Sequence, residues 1–299
     1  MKVVAPGKLL LAGAYAVLDG WPALVAAVDR HAVADGDVVE PHPNAEVVAA
    51  MSATEAPSVD GSRLRDGGQK LGLGSSAAML VASLGVAAAR RGDRLDDAEV
   101  RDRIFRDARR AHAEVQSGGS GVDIAASVHG GVLEYTLAGA DEVRIHERVL
   151  PGDVVVEVLW TGTPATTTGM RARVDAFRAR DGRAYAGRID AVGEAARAAI
   201  AAALRDDARA FIDAIRKGAV ALGVLGVAAD APIFPPGMNA LCPLAEADGA
   251  AFVPSGAGGG DVFVHVGLAP ASTAFLAAAA SAGMQRVAMN LDPLGVRLL

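Results

Sequence analysis

The sequence predicts an α+β fold, and three observations carry that prediction. Segments with strand and helix patterns are mixed, without the regular strand–helix alternation that builds a doubly wound parallel sheet. Apolar helical stretches follow directly on Gly/Ser-rich turns, at Gly72 to Ser76 and again at Gly118 to Gly121. Hydrophobic residues make up 52% of the 299 residues, which suits a real core and not a disordered chain. That length fits one large domain or two ordinary ones. The best division lies at Leu150-Pro151-Gly152, giving domains 1–150 and 151–299.

The elements follow in order. Val3 to Val39 reads as several short strands, because Pro6-Gly7, Gly13 and Asp19-Gly20 separate its apolar groups. Residues 41–68 are polar and turn-rich, with no clear period. A helix is expected from Ser75 to Arg91, stopping at Gly92, and a second from Asp96 to Gln116, with Asp96-Asp97 near its positive end. A Gly-rich turn then leads into Ile124-Ala125-Ala126, and Gly130-Gly131 precedes a strand from Val132 to Tyr135. The second half opens on a strongly apolar strand, Val154 to Trp160. Helical patterns follow at about Gly169 to Arg180, Ala184 to Leu204 and Asp207 to Leu222, with another opened by Pro235-Pro236. A strand from Val262 to Val266, a helix from Pro270 to Ala282 and a strand from Gln285 to Met289 complete the series. No repeat of solenoid period is present.

Composition excludes several classes. A net charge of −6 argues against nucleic acid as a partner. Apolar runs such as Ala274 to Ala282 are too short to span a bilayer, so no membrane partner is expected. The one cysteine, Cys242, permits no internal disulfide, and Met1-Lys2-Val3-Val4 has no signal-peptide pattern. A cytoplasmic location is expected. Lysine occurs only at Lys2, Lys8, Lys70 and Lys217, and two of these fall in Gly-containing segments.

The richest segment runs from Lys70 to Ala78, where two glycines and two serines stand ahead of an apolar helix. Backbone N–H groups at a helix N-terminus attract anions, and glycine lets a phosphate come close. The serine hydroxyls suit capping the helix or binding a metal–phosphate group. A phosphorylated ligand, most naturally a nucleotide, is one reading; a flexible turn with a serine cap is the other. The Gly-x-x-x-x-Gly-Lys-Ser/Thr pattern of a P-loop is absent.

Three Gly/Ser-rich segments stand in order along the chain. They are Ala5-Pro6-Gly7-Lys8 with its sequel Gly13-Ala14-Tyr15-Ala16-Val17-Leu18, then Gly72 to Ala78, then Ser255 to Asp261. Together they resemble the three signature motifs of the GHMP kinase superfamily, over nearly the whole chain. Ser255-Gly256-Ala257-Gly258-Gly259-Gly260-Asp261, Gly119 to Ala125 and Trp160 to Thr167 look most like the superfamily's phosphomevalonate kinase branch. The resemblance implies a GHMP kinase fold, with an N-terminal domain like ribosomal protein S5 domain 2 and a ferredoxin-like C-terminal domain. ATP would lie at their junction. Its phosphates would rest on Gly72, Leu73, Gly74, Ser75, Ser76 and Ala77, and Gly256, Gly258 and Gly259 would close on them.

The resemblance also implies roles. Asp123 would be the catalytic base, although its place before Ile124 also suits a helix cap. Lys8 would be its partner and would stabilise charge on the transferred group. Ser76 would help hold Mg²⁺, with Glu114 as a second ligand, although Glu114 also fits a surface carboxylate and His112 a surface residue. Lys70, Ser120, Gly121, Ala165, Thr166 and Ser255 would contact the acceptor, and Arg110 is a further candidate for a phosphate contact. Two positions depart from the superfamily: Ala14 stands where Glu is usual, and Val253 lies where Lys commonly precedes the third motif.

The implied activity is an ATP-dependent transfer of phosphate to 5-phosphomevalonate, giving the diphosphate in isoprenoid synthesis. Three other readings remain open: a kinase for mevalonate or another small-molecule acceptor, a non-catalytic nucleotide-binding protein, and an ATP-dependent decarboxylase. The oligomeric state is not legible.

Overall fold

A computed structural model describes residues 1–51, 55–116, 118–139, 142–165 and 167–299. The chain forms two compact units that interleave along the sequence. One holds Met1–Leu9, Val25–Leu133 and Asn290–Leu299, and the other holds Leu10–Leu24 and Glu134–Met289. The single division expected near Leu150 therefore differs from the observed one. The reason is that the last ten residues return to the first unit, while the segment after β1 belongs to the second.

The first unit is built on β1 (Lys2–Ala12), β2 (Ala23–Val39), the first residues of β6 (Val132–Leu137) and the C-terminal β12 (Arg297–Leu298). Their order is β12-β1-β2-β6, with β3 (Pro57–Asp60) paired to β2. The expected cluster of short strands is thus two long ones. Pro6-Gly7 does not break β1, because Gly7 serves a close approach instead of a turn. A Cβ there would stand 2.7 Å from Leu64 Cδ2 and 2.8 Å from the Leu73 carbonyl oxygen.

The helices of this unit are α1 (Ala45–Ala50), α2 (Ser75–Arg90), α3 (Ala98–Gln116) and α4 (Val122–His129). α2 is buried nearly all round, and its many small residues permit that. Gly85 shows how close the packing is: a Cβ there would meet Val3 Cγ1 at 2.7 Å. α3 is amphipathic, burying Val100, Ile104, Phe105, Ala108 and Ala111 at helical spacing. The stretch read as patternless also holds a hairpin, β4 (Arg65–Asp66) with β5 (Gln69–Lys70). Its Gly67-Gly68 turn has positive φ at both residues, as a tight hairpin requires.

The second unit contains the end of β6, β7 (Val143–Arg148), and a four-stranded antiparallel sheet. Those four strands are β8 (Val155–Trp160), β9 (Ala251–Pro254), β10 (Val262–Gly267) and β11 (Gln285–Val287), in the order β11-β8-β10-β9. Helices α5 (Thr167–Arg180), α6 (Gly182–Leu204), α7 (Ala208–Ala228) and α8 (Leu241–Ala247) fall between β8 and β9, and α9 (Thr273–Ser281) between β10 and β11. Numbered within the sheet, the order is 4-1-3-2 with helices after the first and third strands, the ferredoxin-like arrangement expected. Phe252 stacks on Phe263 and meets Phe275 edge-on at its core. Among the described residues no helix is long and apolar enough to cross a membrane.

Candidate active site

The site builds outward from the N-terminus of α2. Gly74 is the N-cap residue, at φ 73° and ψ 39°, and no side chain caps the helix. The serines therefore do not cap it; they occupy its first two positions. The first intrahelical bond runs from Ala78 N–H to the Gly74 carbonyl at 3.0 Å. The N–H groups of Ser75, Ser76 and Ala77 thus have no acceptor within the helix. They open on the positive end of a buried 16-residue helix, a setting that favours an anion. Gly72, at φ 79°, turns the preceding chain.

Lys8 binds this loop twice. Its backbone N–H donates to the Leu73 carbonyl at 2.9 Å, and its Nζ donates to the Gly72 carbonyl at 3.0 Å. The first of these bonds needs the close approach that Gly7 allows. Asp123 is the second residue of α4, whose N-cap is Gly121 at φ 74°. It is therefore a first-turn acid and not the cap, with Oδ1 3.0 Å from the Ile124 N–H. α4 is fixed to β1 by Ser127, whose buried hydroxyl donates to the Pro6 carbonyl at 2.7 Å. Lys8 and Asp123 converge on Gly74, where an added Cβ would stand 3.1 Å from Lys8 Cγ and 3.3 Å from Asp123 Cβ. A lysine, a carboxylate and a helix N-terminus thus share one corner of the first unit.

Glu114 is the surface carboxylate that its sequence context also suggested, whereas His112 is not the surface residue expected. Glu114 is exposed on α3. Two residues along a helix is about 200°, so it faces away from His112. His112 is the inward residue, with Nδ1 3.3 Å from Glu46 Oε1 and side chains only 14% and 5% exposed. Burial opposes its positive charge, but the Glu46 hydrogen bond and the charges of Asp123 and Glu46 outweigh that and raise its pKa. The charge of Asp123 is thus one contributor to the surroundings of His112. Its spacing, 11 positions before Asp123, carries no periodic signal across the intervening glycine turn.

The remaining expected residues are distributed as follows. Lys70 is exposed on the β4–β5 hairpin, opposite Arg65. Ser120 Oγ accepts the Val122 N–H at 3.4 Å. Arg110 is exposed and paired with Asp107. Thr166 lies outside the described residues.

The second unit holds the third motif. Gly256, Gly258, Gly259 and Gly260 have φ of 115°, 70°, 77° and 150°. A Cβ at Gly258 would stand 2.2 Å from the Ile233 carbonyl oxygen, and one at Gly260 would stand 2.7 Å from that of Thr163. Asp261 Oδ1 accepts the Ala165 N–H at 2.9 Å, which orders the turn that carries Ala165. Ser255 is 5% exposed, and its Oγ accepts the Leu10 N–H at 2.9 Å. The two departures, Ala14 and Val253, line one small apolar void of about 10 Å³ beside Val192, Ala195, Ile215 and Leu222. At these positions the structure has apolar packing where superfamily members carry charge.

Comparison with known proteins decides the family. The pattern described as GHMP kinases N terminal domain matches residues 61–131, which include the α2 loop and Asp123. Phosphomevalonate kinase of Streptomyces sp. (strain CL190) is 31% identical, in an alignment covering 86% of this chain and 87% of that protein. The chain belongs to the GHMP kinase family. The fold of this GHMP kinase agrees with solved relatives. Streptococcus pneumoniae phosphomevalonate kinase in complex with phosphomevalonate and AMPPNP superposes with a TM-score of 0.81 at 19% identity, covering 97% of this chain and 99% of that one. Methanococcus jannaschii mevalonate kinase gives 0.72 at 15% identity, covering 97% and 98%.

Magnesium is the metal this family implies. Among the described residues no group of three or more His, Cys, Asp or Glu side chains could form a metal cage. Mg²⁺ carried on a nucleotide keeps several waters and takes phosphate oxygens, so it needs no such cage. The Ser76 hydroxyl at the second position of α2 fits such a role, whereas the exposed Glu114 does not.

Proposed function

We propose that this GHMP kinase transfers the γ-phosphoryl group of ATP to the phosphate of 5-phosphomevalonate, giving the diphosphate and ADP. The observation that carries the reading is the convergence of Lys8 and Asp123 on Gly74, at the open N-terminus of α2. The Streptomyces relative's activity supports the choice of acceptor, and the Streptococcus protein's complex supports the pair of ligands.

The chemistry can be assigned to this chain's residues. The N–H groups of Ser75, Ser76 and Ala77 would bind the nucleotide phosphates, with the helix dipole behind them. Mg²⁺, held by the Ser76 hydroxyl and the nucleotide, would neutralise charge on the phosphates. An acceptor phosphate oxygen attacks the γ-phosphorus, and the bond to the β-phosphate oxygen breaks with ADP leaving. The Lys8 ammonium, held in place by the Gly72 carbonyl, would stabilise the charge developing on the transferred group.

Asp123 needs a closer argument. A phosphate monoester has a second pKa of about 6, so its attacking oxygen is already deprotonated at neutral pH. With this acceptor a base has little proton to remove. The carboxylate would instead orient Lys8 and the acceptor, and would act as a base only toward an alcohol. Ala165, Ser120 and Lys70 remain proposed acceptor contacts.

The test is ADP release by the purified protein with Mg–ATP and, in turn, phosphomevalonate, mevalonate, mevalonate diphosphate, homoserine and galactose. Turnover with phosphomevalonate is expected, falling about 100-fold or more in Lys8→Met. Asp123→Asn, which keeps the shape, should lower kcat with phosphomevalonate less than it would for an alcohol acceptor. Turnover with another acceptor alone refutes the assignment, and full activity of Lys8→Met refutes the mechanism.

A further inference from the structure

Tyr15 concentrates strain at an unexpected point of the second unit. Its backbone stands at φ 64° and ψ −51°, and Ala16 N–H donates to the Ala14 carbonyl at 2.8 Å. Tyr15 is therefore the centre of a γ-turn of the rare, strained hand. Glycine would adopt that conformation at no steric cost, and a bulky aromatic residue does so only under constraint. Such strain persists where the surroundings over-determine it.

The constraint is visible. Tyr15 is 8% exposed, and its hydroxyl donates to the Ala257 carbonyl oxygen at 2.6 Å. Ala257 sits in the middle of the glycine loop. Burial pushes the phenol well above its ordinary pKa, so the hydroxyl stays protonated and remains a donor.

The loop is anchored at both ends. Its C-terminal half is held by Gly259 N–H to the Ile233 carbonyl at 2.9 Å and by Asp261 N–H to the Thr163 carbonyl at 2.8 Å. Its N-terminal half is held from the first motif, by Leu10 N–H to Ser255 Oγ at 2.9 Å and by the Tyr15 hydroxyl. These contacts fix a run of positive-φ residues whose freedom would otherwise be large. They also give a physical reason for the first and third motifs to occur in one chain.

We propose that Tyr15 is a positioning residue: its γ-turn aims the hydroxyl at Ala257, and that bond holds Gly256 to Gly259 in the conformation that favours nucleotide binding. The last clause rests on the kinase reading above. Tyr15 acts through the loop and touches no reacting atom.

Tyr15→Phe tests this, because it keeps the ring and the turn and removes only the hydroxyl. The first readout is hydrogen exchange at the Gly256, Ala257 and Gly258 amides without any ligand. The second is the Kd for Mg–AMPPNP by calorimetry, which needs no acceptor. Losing a part-buried bond to a carbonyl should speed loop exchange and weaken nucleotide binding about tenfold each, while α7 and β10 exchange as before and Tm moves little. Unchanged loop exchange, or unchanged nucleotide affinity, overturns the proposal. If the Tyr15→Phe losses appear in a protein that turns over no phosphorylated acceptor, the positioning role stands and the acceptor assignment falls.

Discussion

At the scale of single residues, Gly74 decides more of the proposed site than either charged group. It caps α2 in the left-handed region at φ 73°, and its missing Cβ leaves room for Lys8 and Asp123 to approach from two sides. An alanine would carry a left-handed backbone cost of about 1–2 kcal/mol. It would also push on Lys8 Cγ at 3.1 Å and Asp123 Cβ at 3.3 Å, contacts that must each give by a few tenths of an ångström. Displacements of that size matter to phosphoryl transfer, which depends on alignment. Gly74→Ala should therefore lower kcat/KM by 10-fold or more, while Tm falls by only about 3–6 °C. Wild-type kcat/KM in a folded Gly74→Ala protein would show that the convergence has no catalytic role. The need for glycine here was legible in the sequence, because Gly72-Leu73-Gly74-Ser75-Ser76 declares a turn into a helix. The inward place of His112 was not. Glu114 and His112 lie two positions apart on one helix, and only the register of α3 against α1 puts His112 beside Glu46.

At the scale of elements, helices were easier to read than strands. α2, α6 and α7 announce themselves through long apolar periodicity. β7 and β9 escaped notice for different reasons. β9 is four residues, Ala251–Pro254, all buried, so it has no alternation to betray it. β7 is largely exposed, and only Val143 and Ile145 of its six residues are apolar. α7 also offers a test of how its packing is set. Gly218 lies within the helix and beside the small void lined by Ala195, Ala214 and Leu222. A Cβ at Gly218 would meet Ala195 Cβ at 3.6 Å, an ordinary contact. Gly218→Ala should thus gain helix propensity and fill space without strain, stabilising the protein by about 0.5–1 kcal/mol and raising Tm by about 1–4 °C. A lowered Tm would mean that α6 and α7 have no slack at this point. The contrast with Gly193 on α6 is instructive, because a Cβ there would stand 2.0 Å from the Trp21 ring.

At the scale of the whole chain, the feature least visible in sequence is the return of the last ten residues to the first unit. Asn290 bonds both Asp29 carboxylate oxygens, each at 2.8 Å. Asp292 exchanges backbone bonds with Ala27 and Gly131, and β12 pairs with β1 at Val3–Leu298 and Val4–Arg297. These partners stand more than 150 residues apart, and no local pattern encodes such pairings. The buried centre of the return is Asp292, with a side chain 5% exposed and Oδ2 2.5 Å from His31 Nε2 and 3.1 Å from Arg297. Burial pushes its pKa up, but hydrogen bonds from His31, the Leu294 N–H and Arg297 outweigh that and hold the carboxyl below the usual range. A depressed folded-state pKa means that the unfolded chain binds the proton more readily. The stabilisation is therefore fully present above the unfolded value of about 4 and is lost as pH falls through the folded one. Asp292→Asn should cost about 3 kcal/mol at pH 7, since it leaves Arg297 without its buried counter-charge and removes a carboxylate oxygen bonded to His31. That deficit should shrink in melts taken at progressively lower pH below about 4, as the wild-type carboxyl is protonated too. A deficit that stays constant from pH 7 down to pH 2 would show that Asp292 acts through shape and hydrogen bonding alone, and that its charge does not help close the first unit.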